Sequence, residues 1–153
     1  MCSALEWLKR ACIQVPTDLN ALEDVLAWFD ELEAPIPKMT WFQCQLALVE
    51  GFTNAVRHAH QGKPSDTPID IEARLTEASI EFRIWDEGPG FAFEEYVQRS
   101  SNLADNDSEG GRGLGLINRI ADDLEYAQEP GQRNCLRIVK QYSADADEMG
   151  NSS

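Results

Sequence analysis

The sequence predicts an α+β domain, a two-layer α/β sandwich whose mixed, mostly antiparallel sheet is covered on one face by helices. Three observations predict it. "IDIEARLTEASIEFRIW" alternates apolar and polar residues on either side of a short polar turn. "WFQCQLALVEGFTNAVRHAH" carries apolar residues at helical spacing. "LEYAQEPGQRNCLRIVKQY" reads as a second hairpin near the end of the chain.

The elements follow in order. "LEWLKRACIQV" is apolar with partial alternation and stops before Pro16, which suits a first strand. "PTDLNALEDVLAWFDELEA" predicts a helix capped by Thr17 or Asp18, with Leu22, Val25, Leu26 and Phe29 at helical spacing. "PIPK" ends it. A longer helix is expected from about Thr40 to His60, with Phe42, Leu46, Leu48, Val49, Phe52, Ala55, Val56 and Ala59 as the face laid on the sheet. After the loop "QGKPSDTP", Ile69, Ile71, Ala73 and Leu75 share one face, and Ile80, Phe82 and Ile84 another, with "TEAS" turning between them. From Glu87 to Gly111 the chain is rich in glycine, serine and acids, a long connection expected to act as a lid. "RGLGLINRIADDL" predicts a helix. Residues 1–141 are expected to form one domain and the acidic residues 142–153 a flexible tail.

Composition narrows the function. The formal net charge is -14, the wrong sign for nucleic acid or an anionic membrane surface and suited to solubility or to docking a basic protein. No segment reads as a secretory leader or a membrane span. Cys2, Cys12, Cys44 and Cys135 form no CxxC pair, and both histidines lie in "RHAH", so reduced thiols, a cytoplasmic setting and no zinc site are expected.

The long helix carries the first chemical signal. Opposite its apolar face fall Glu50, Asn54, Arg57 and His58, with Glu50 and Asn54 one turn apart. An amide oxygen can coordinate Mg²⁺, and a carboxylate beside it can take a proton from a nucleophile. Gly51, costly inside a helix, makes sense where another backbone or a ligand comes close. Arg57 can reach a phosphate or pair with an acid, and His58 and His60 fit capping or surface groups.

Two glycine segments carry the second. "DEGPGF" ends an alternating strand with the carboxylate of Asp86, followed by Gly88 and Gly90, which remove side chains and are expected to let the backbone approach closely and wrap a base. A buried carboxylate accepts from the exocyclic amine of adenine, where guanine would present another acceptor. "EGGRGLGLINRI" places Gly110, Gly111, Gly113 and Gly115 at the opening of an amphipathic helix, where backbone N–H groups can converge on an anion. It is neither a Walker motif nor a dinucleotide fingerprint.

In this order the segments resemble the GHKL ATPases, the Bergerat-fold superfamily of gyrase, Hsp90, histidine kinases and MutL. "EGFTNAVRHAH" resembles the N-box, "DEGPGF" the first glycine box and "GGRGLGL" the second, over roughly residues 5 to 141. "ALVEGFTNAVRHAH", "WDEGPGF" and "GGRGLGLI" are similar to the bacterial anti-sigma-factor serine kinases of partner-switching pathways. That resemblance implies ATP and Mg²⁺ as cofactors, Glu50 as catalytic base and Asn54 as the Mg²⁺ ligand. It implies a nucleotide-binding set of Asn54, Arg57, His58, Asp86, Gly88, Gly90, Phe91, Gly110, Gly111, Arg112, Gly113, Leu114 and Gly115. Implied partners are a STAS-type antagonist as substrate, a sigma factor or other regulator, and a second copy of the chain. A non-catalytic ATP-sensing module and the detached ATP-binding domain of a histidine kinase are the alternatives. Where many relatives carry a Gly-Thr pair before the last strand, this chain has Asn134 and Cys135, which puts a hydroxyl contact near adenine in doubt.

Overall fold

The computed structural model describes residues 9–32, 35–90, 109–131 and 133–143, with the backbone alone for 109–114. Five strands form one sheet: β1 (Lys9–Pro16), β2 (Pro68–Leu75), β3 (Ser79–Asp86), β4 (Asp123–Glu129) and β5 (Arg133–Gln141). Their order is β1-β2-β3-β5-β4, and every pairing is antiparallel. Three α-helices accompany them: α1 (Leu22–Glu31), α2 (Lys38–Asn54) and α3 (Glu109–Ile120). The expected lid, including Phe91, falls mostly outside the described residues.

Cross-strand register explains the core. Ile13, Ile71, Ile84, Leu136 and Tyr126 follow one another across the sheet, and Ala11, Ala73, Phe82, Ile138 and Leu124 form the next row. The two apolar sets of β2 and β3 therefore lie opposite each other on the same sheet face, not on the two faces expected from the alternation. Directly opposed apolar pairs are the unit of sheet stabilisation, and burying both sets on one side leaves the other side polar. Thr76 closes the intervening turn, its hydroxyl oxygen accepting from the N–H groups of Ala78 and Ser79 at 3.1 and 3.0 Å.

Helices cover the apolar face. Phe29 of α1 stacks on Trp41 of α2 at 4.0 Å and meets Phe82 of β3 edge-on at 5.5 Å. Asp18, one of the two expected caps, accepts from the Asn20 N–H at 2.9 Å and opens a 3₁₀ turn, Leu19–Ala21, that leads into α1. Lys9 closes the far end, donating to the Leu32 carbonyl at 2.6 Å. α3 packs on α2.

Of the face expected to lie on the sheet, Leu48, Phe52, Ala55 and Ala59 are buried, but Phe42 and Leu46 are not. Thr40, Cys44, Ala47, Leu48, Gly51, Phe52 and Ala55 are buried, whereas Phe42 is 52% and Leu46 40% exposed. At about 100° per residue, Phe42 and Leu46 lie opposite Cys44, Gly51 and Ala55. Small inward residues bring the helix close to the sheet. A Cβ at Gly51 would stand 2.6 Å from Cδ1 of Ile84. Gly51 thus serves helix-on-sheet packing, with a side chain of β3 as its neighbour.

Candidate functional site

At one end of the helix-facing side the apolar rows give way to a polar one: Asp86, Asn134 and Gln128, in register on β3, β5 and β4. Asp86 is only 3% exposed and is gripped from three directions. Its Oδ1 accepts from the Gly88 N–H and from Asn134 Nδ2, both at 2.9 Å. Its Oδ2 accepts from the Tyr126 hydroxyl at 3.0 Å. Burial first, then the charge of Asp86, holds the Tyr126 phenol well above its ordinary range, so it remains a donor. A cavity of about 630 Å³ borders this row, lined in part by Gly88, Gln128 and Asn134, which leaves that end of the sheet open to solvent.

The glycines after Asp86 shape the chain against its own backbone. A Cβ at Gly88 would fall 2.2 Å from the Ala59 carbonyl oxygen. Gly90 has φ of +83°, in the left-handed region that only glycine enters at little cost. Asn134 Nδ2 also donates to the Gly88 carbonyl at 2.9 Å, tying the loop to β5. The amide that replaces the expected Gly-Thr pair therefore bonds to both the carboxylate and the loop.

What Gly88 packs against is the end of the long helix. After Asn54 the chain continues as a π-helical turn, Ala55–Ala59, with the His60 N–H bonding to the Ala55 carbonyl at 2.9 Å. Such wide turns recur at functional sites because they re-aim the side chains that follow. Here they aim His60 inward. It is 2% exposed, not the capping or surface group expected. Its Nδ1 lies 2.7 Å from the Thr17 hydroxyl, which itself donates to the Thr67 carbonyl, so Nδ1 carries the proton. Its Nε2 accepts from the Glu87 N–H at 2.8 Å. Burial, outweighing the pull of Asp86, lowers the His60 pKa and keeps this neutral tautomer in place.

On α2, Glu50 is half-buried and Asn54 is 7% exposed. The Asn54 Oδ1 has no hydrogen-bond partner among the described residues. A buried amide oxygen left in this state is costly unless a group beyond the described residues satisfies it. The described residues hold no cluster of three or more His, Cys, Asp or Glu that suits a metal. A hard cation such as Mg²⁺, bound through an amide oxygen and otherwise through water and phosphate, fits Asn54 Oδ1. Arg57 is exposed. His58 is partly buried, with its pKa lowered by desolvation and then by Arg57.

The structure thus joins Asp86, Gly88 and Gly90 to the end of the helix that bears Glu50 and Asn54. Gly110, Gly111, Arg112, Gly113 and Leu114 lie in the first turns of α3, where only the backbone is described, and Gly115 is buried. Sequence reasoning gave Tyr126 no role, although its place in the alternation of "LEYAQ" marked it as helix-facing. It had no comparable signal for His60, because the π turn shifts the helical phase just before it.

Comparison with known proteins follows the same outline. The model of the histidine kinase-like ATPase domain matches residues 15–140. Among curated proteins, a serine-protein kinase RsbW from Listeria innocua is 33% identical over 92 residues, covering 57% of this chain and 58% of the relative. Proteins of the same name from Bacillus pumilus and Staphylococcus aureus are 29% and 30% identical over 93 and 92 residues. The matched segment spans 57–58% of these relatives' length.

Proposed function

The chain belongs to the histidine kinase-like ATPase domain family, and on that premise we propose that it is an ATP-dependent serine/threonine-protein kinase of the anti-sigma-factor type. In this reading it binds a sigma factor or another regulator and phosphorylates a small STAS-type antagonist. The observation that carries it is on α2: a half-buried carboxylate, Glu50, one turn from a buried amide oxygen with no partner among the described residues, Asn54 Oδ1. The relatives named as serine-protein kinases support the same reaction class.

Each residue has a distinct task. Asp86, kept as an acceptor by three donors, receives the exocyclic amine of adenine. Asn54 holds Mg²⁺, which when bound neutralises phosphate charge during transfer. Glu50 takes the proton of the incoming serine or threonine hydroxyl as its oxygen bonds to the γ-phosphorus and ADP leaves. Arg112 and the glycines around it are assigned to the phosphates by their place in the motif. Among the described residues no helix is long and apolar enough to cross a membrane.

The test is transfer from labelled ATP to a co-purified protein partner, followed by acid. Label that survives acid supports a phosphoserine or phosphothreonine product, and label lost in acid points to histidine phosphorylation. If ATP changes which partner is retained but no label moves, the chain is a nucleotide-sensing binding module instead.

A further inference from the structure

We propose that Tyr126 and Asn134 are positioning residues that set the purine selectivity of this site by fixing the Asp86 carboxylate. The inference rests on the adenine role given to Asp86 above. An ionised carboxylate offers about four acceptor positions. Three are taken: two on Oδ1, by the Gly88 N–H and Asn134 Nδ2, and one on Oδ2, by the Tyr126 hydroxyl. Among the described residues one position remains, on Oδ2.

The origin of the three donors matters. Gly88 is two residues from Asp86 and is itself tied to the sheet through Asn134, so the carboxylate's orientation rests on the other two donors. Asn134 and Tyr126 come from β5 and β4, 48 and 40 residues away in sequence. Neither has slack. Asn134 is 1% exposed and spends its second amide hydrogen on the Gly88 carbonyl. Tyr126 is held by the sheet row beneath it, opposite Leu136. Together they fix the plane of the carboxylate and leave a single acceptor position, matched to one N–H of a 6-amino purine. A 6-oxo purine would bring an acceptor to that position and leave both groups unsatisfied.

Tyr126 therefore acts through Asp86 and is not required to touch the nucleotide. A tyrosine that merely supports the fold would weaken all nucleotides alike when its hydroxyl is removed. A positioning residue weakens only ligands that carry the 6-amino group.

The experiment is calorimetric titration of the full chain with ATP and with purine riboside triphosphate, which lacks that group, for wild type and Tyr126→Phe. Wild type should prefer ATP. Tyr126→Phe should weaken ATP by about 5- to 30-fold, less than the roughly 10- to 150-fold of losing a whole charge-assisted bond because Tyr126 only orients the acceptor, and purine riboside triphosphate by less than about 2-fold on the same scale. Asn134→Ser, which keeps one hydroxyl donor, provides a second variant and should retain part of the preference. Equal weakening of both ligands, or an unchanged ATP preference in Tyr126→Phe, overturns the positioning role and leaves the adenine site standing. A wild type that binds both ligands equally overturns the adenine role of Asp86 and this inference with it.

Discussion

The two faces of the sheet use polarity in opposite ways. On the face away from the helices, side chains form a lattice of ion pairs. Glu72 is shared by Arg10 and Arg74, and Glu81 by Arg83 and Arg137, the last two each at 2.8 Å. Arg137 reaches on to Asp123, also at 2.8 Å. Glu72 and Glu81 are buried there under the arginines, whose long stems cover what no helix covers. On the helix-facing side nearly everything is apolar until the row of Asp86, Asn134 and Gln128. Among the described residues, the groups gathered at that end have capacity left: one acceptor position on Asp86, and the whole Oδ1 of Asn54. Polarity on the outer face is paired as ions within the chain, Arg74 with Glu72 at 3.1 Å among them, whereas Asn54 Oδ1 has no hydrogen-bond partner among the described residues.

The strongest way to break the comparison is to separate the site from the helix that supports it. Gly88→Ala puts a methyl 2.2 Å from a backbone oxygen that cannot rotate away. It should cost about 3 kcal/mol of stability, at the upper end for overpacking, and should abolish nucleotide binding with it. Urea unfolding checks the first and calorimetry the second.

A matched pair of isosteric variants sharpens the contrast. Asp86→Asn replaces an acceptor by an amide whose NH₂ opposes donors, and should weaken ATP by about 10- to 100-fold. Glu81→Gln makes the same change on the other face, at a buried carboxylate beside arginines that still reach water, and should cost about 1–3 kcal/mol of stability. Its nucleotide affinity should match wild type. If both variants lose ATP equally, the two faces are not functionally distinct.

A smaller effect comes with pH. Burial lowers the folded-state pKa of His60 below its ordinary 6.5. The unfolded chain therefore takes up a proton before the folded one does. The contribution of His60 is complete above about pH 6.5 and declines as pH falls below that value. The unfolding midpoint should drop between pH 7 and 5.5, and His60→Gln should show a shallower drop across the same window.

Much of this was legible in the sequence, and the rest was obscured for physical reasons. The clean alternation of "IDIEARL" and "IEFRIW" specified two paired strands, and with them the strand end that carries Asp86. The glycines after it were legible as a demand for close approach, but not that the partner is Ala59. Leu48 and Phe52 were legible as inward residues of α2, but the rest of its inward side was hidden because the helix is apolar around most of its circumference. Large Phe42 and Leu46 then outweigh small Cys44, Ala47 and Gly51 in any periodic reading, although close packing favours the small ones. Asn134 read only as a departure from a familiar pair, since its two hydrogen bonds depend on strand register that sequence spacing does not reveal.

The kinase reading is tested most directly by Glu50→Gln, with ATP binding and phosphotransfer measured on the same preparation. The substitution removes a base that would touch the nucleophile and not the nucleotide. ATP affinity should remain within about 2-fold of wild type, because no ground-state contact to the nucleotide is lost. Transfer to the protein partner should fall by about 10²- to 10⁴-fold, the span of general-base catalysis. A variant that transfers phosphate at the wild-type rate, or that loses binding and transfer in equal measure, would contradict the role of Glu50 as the base.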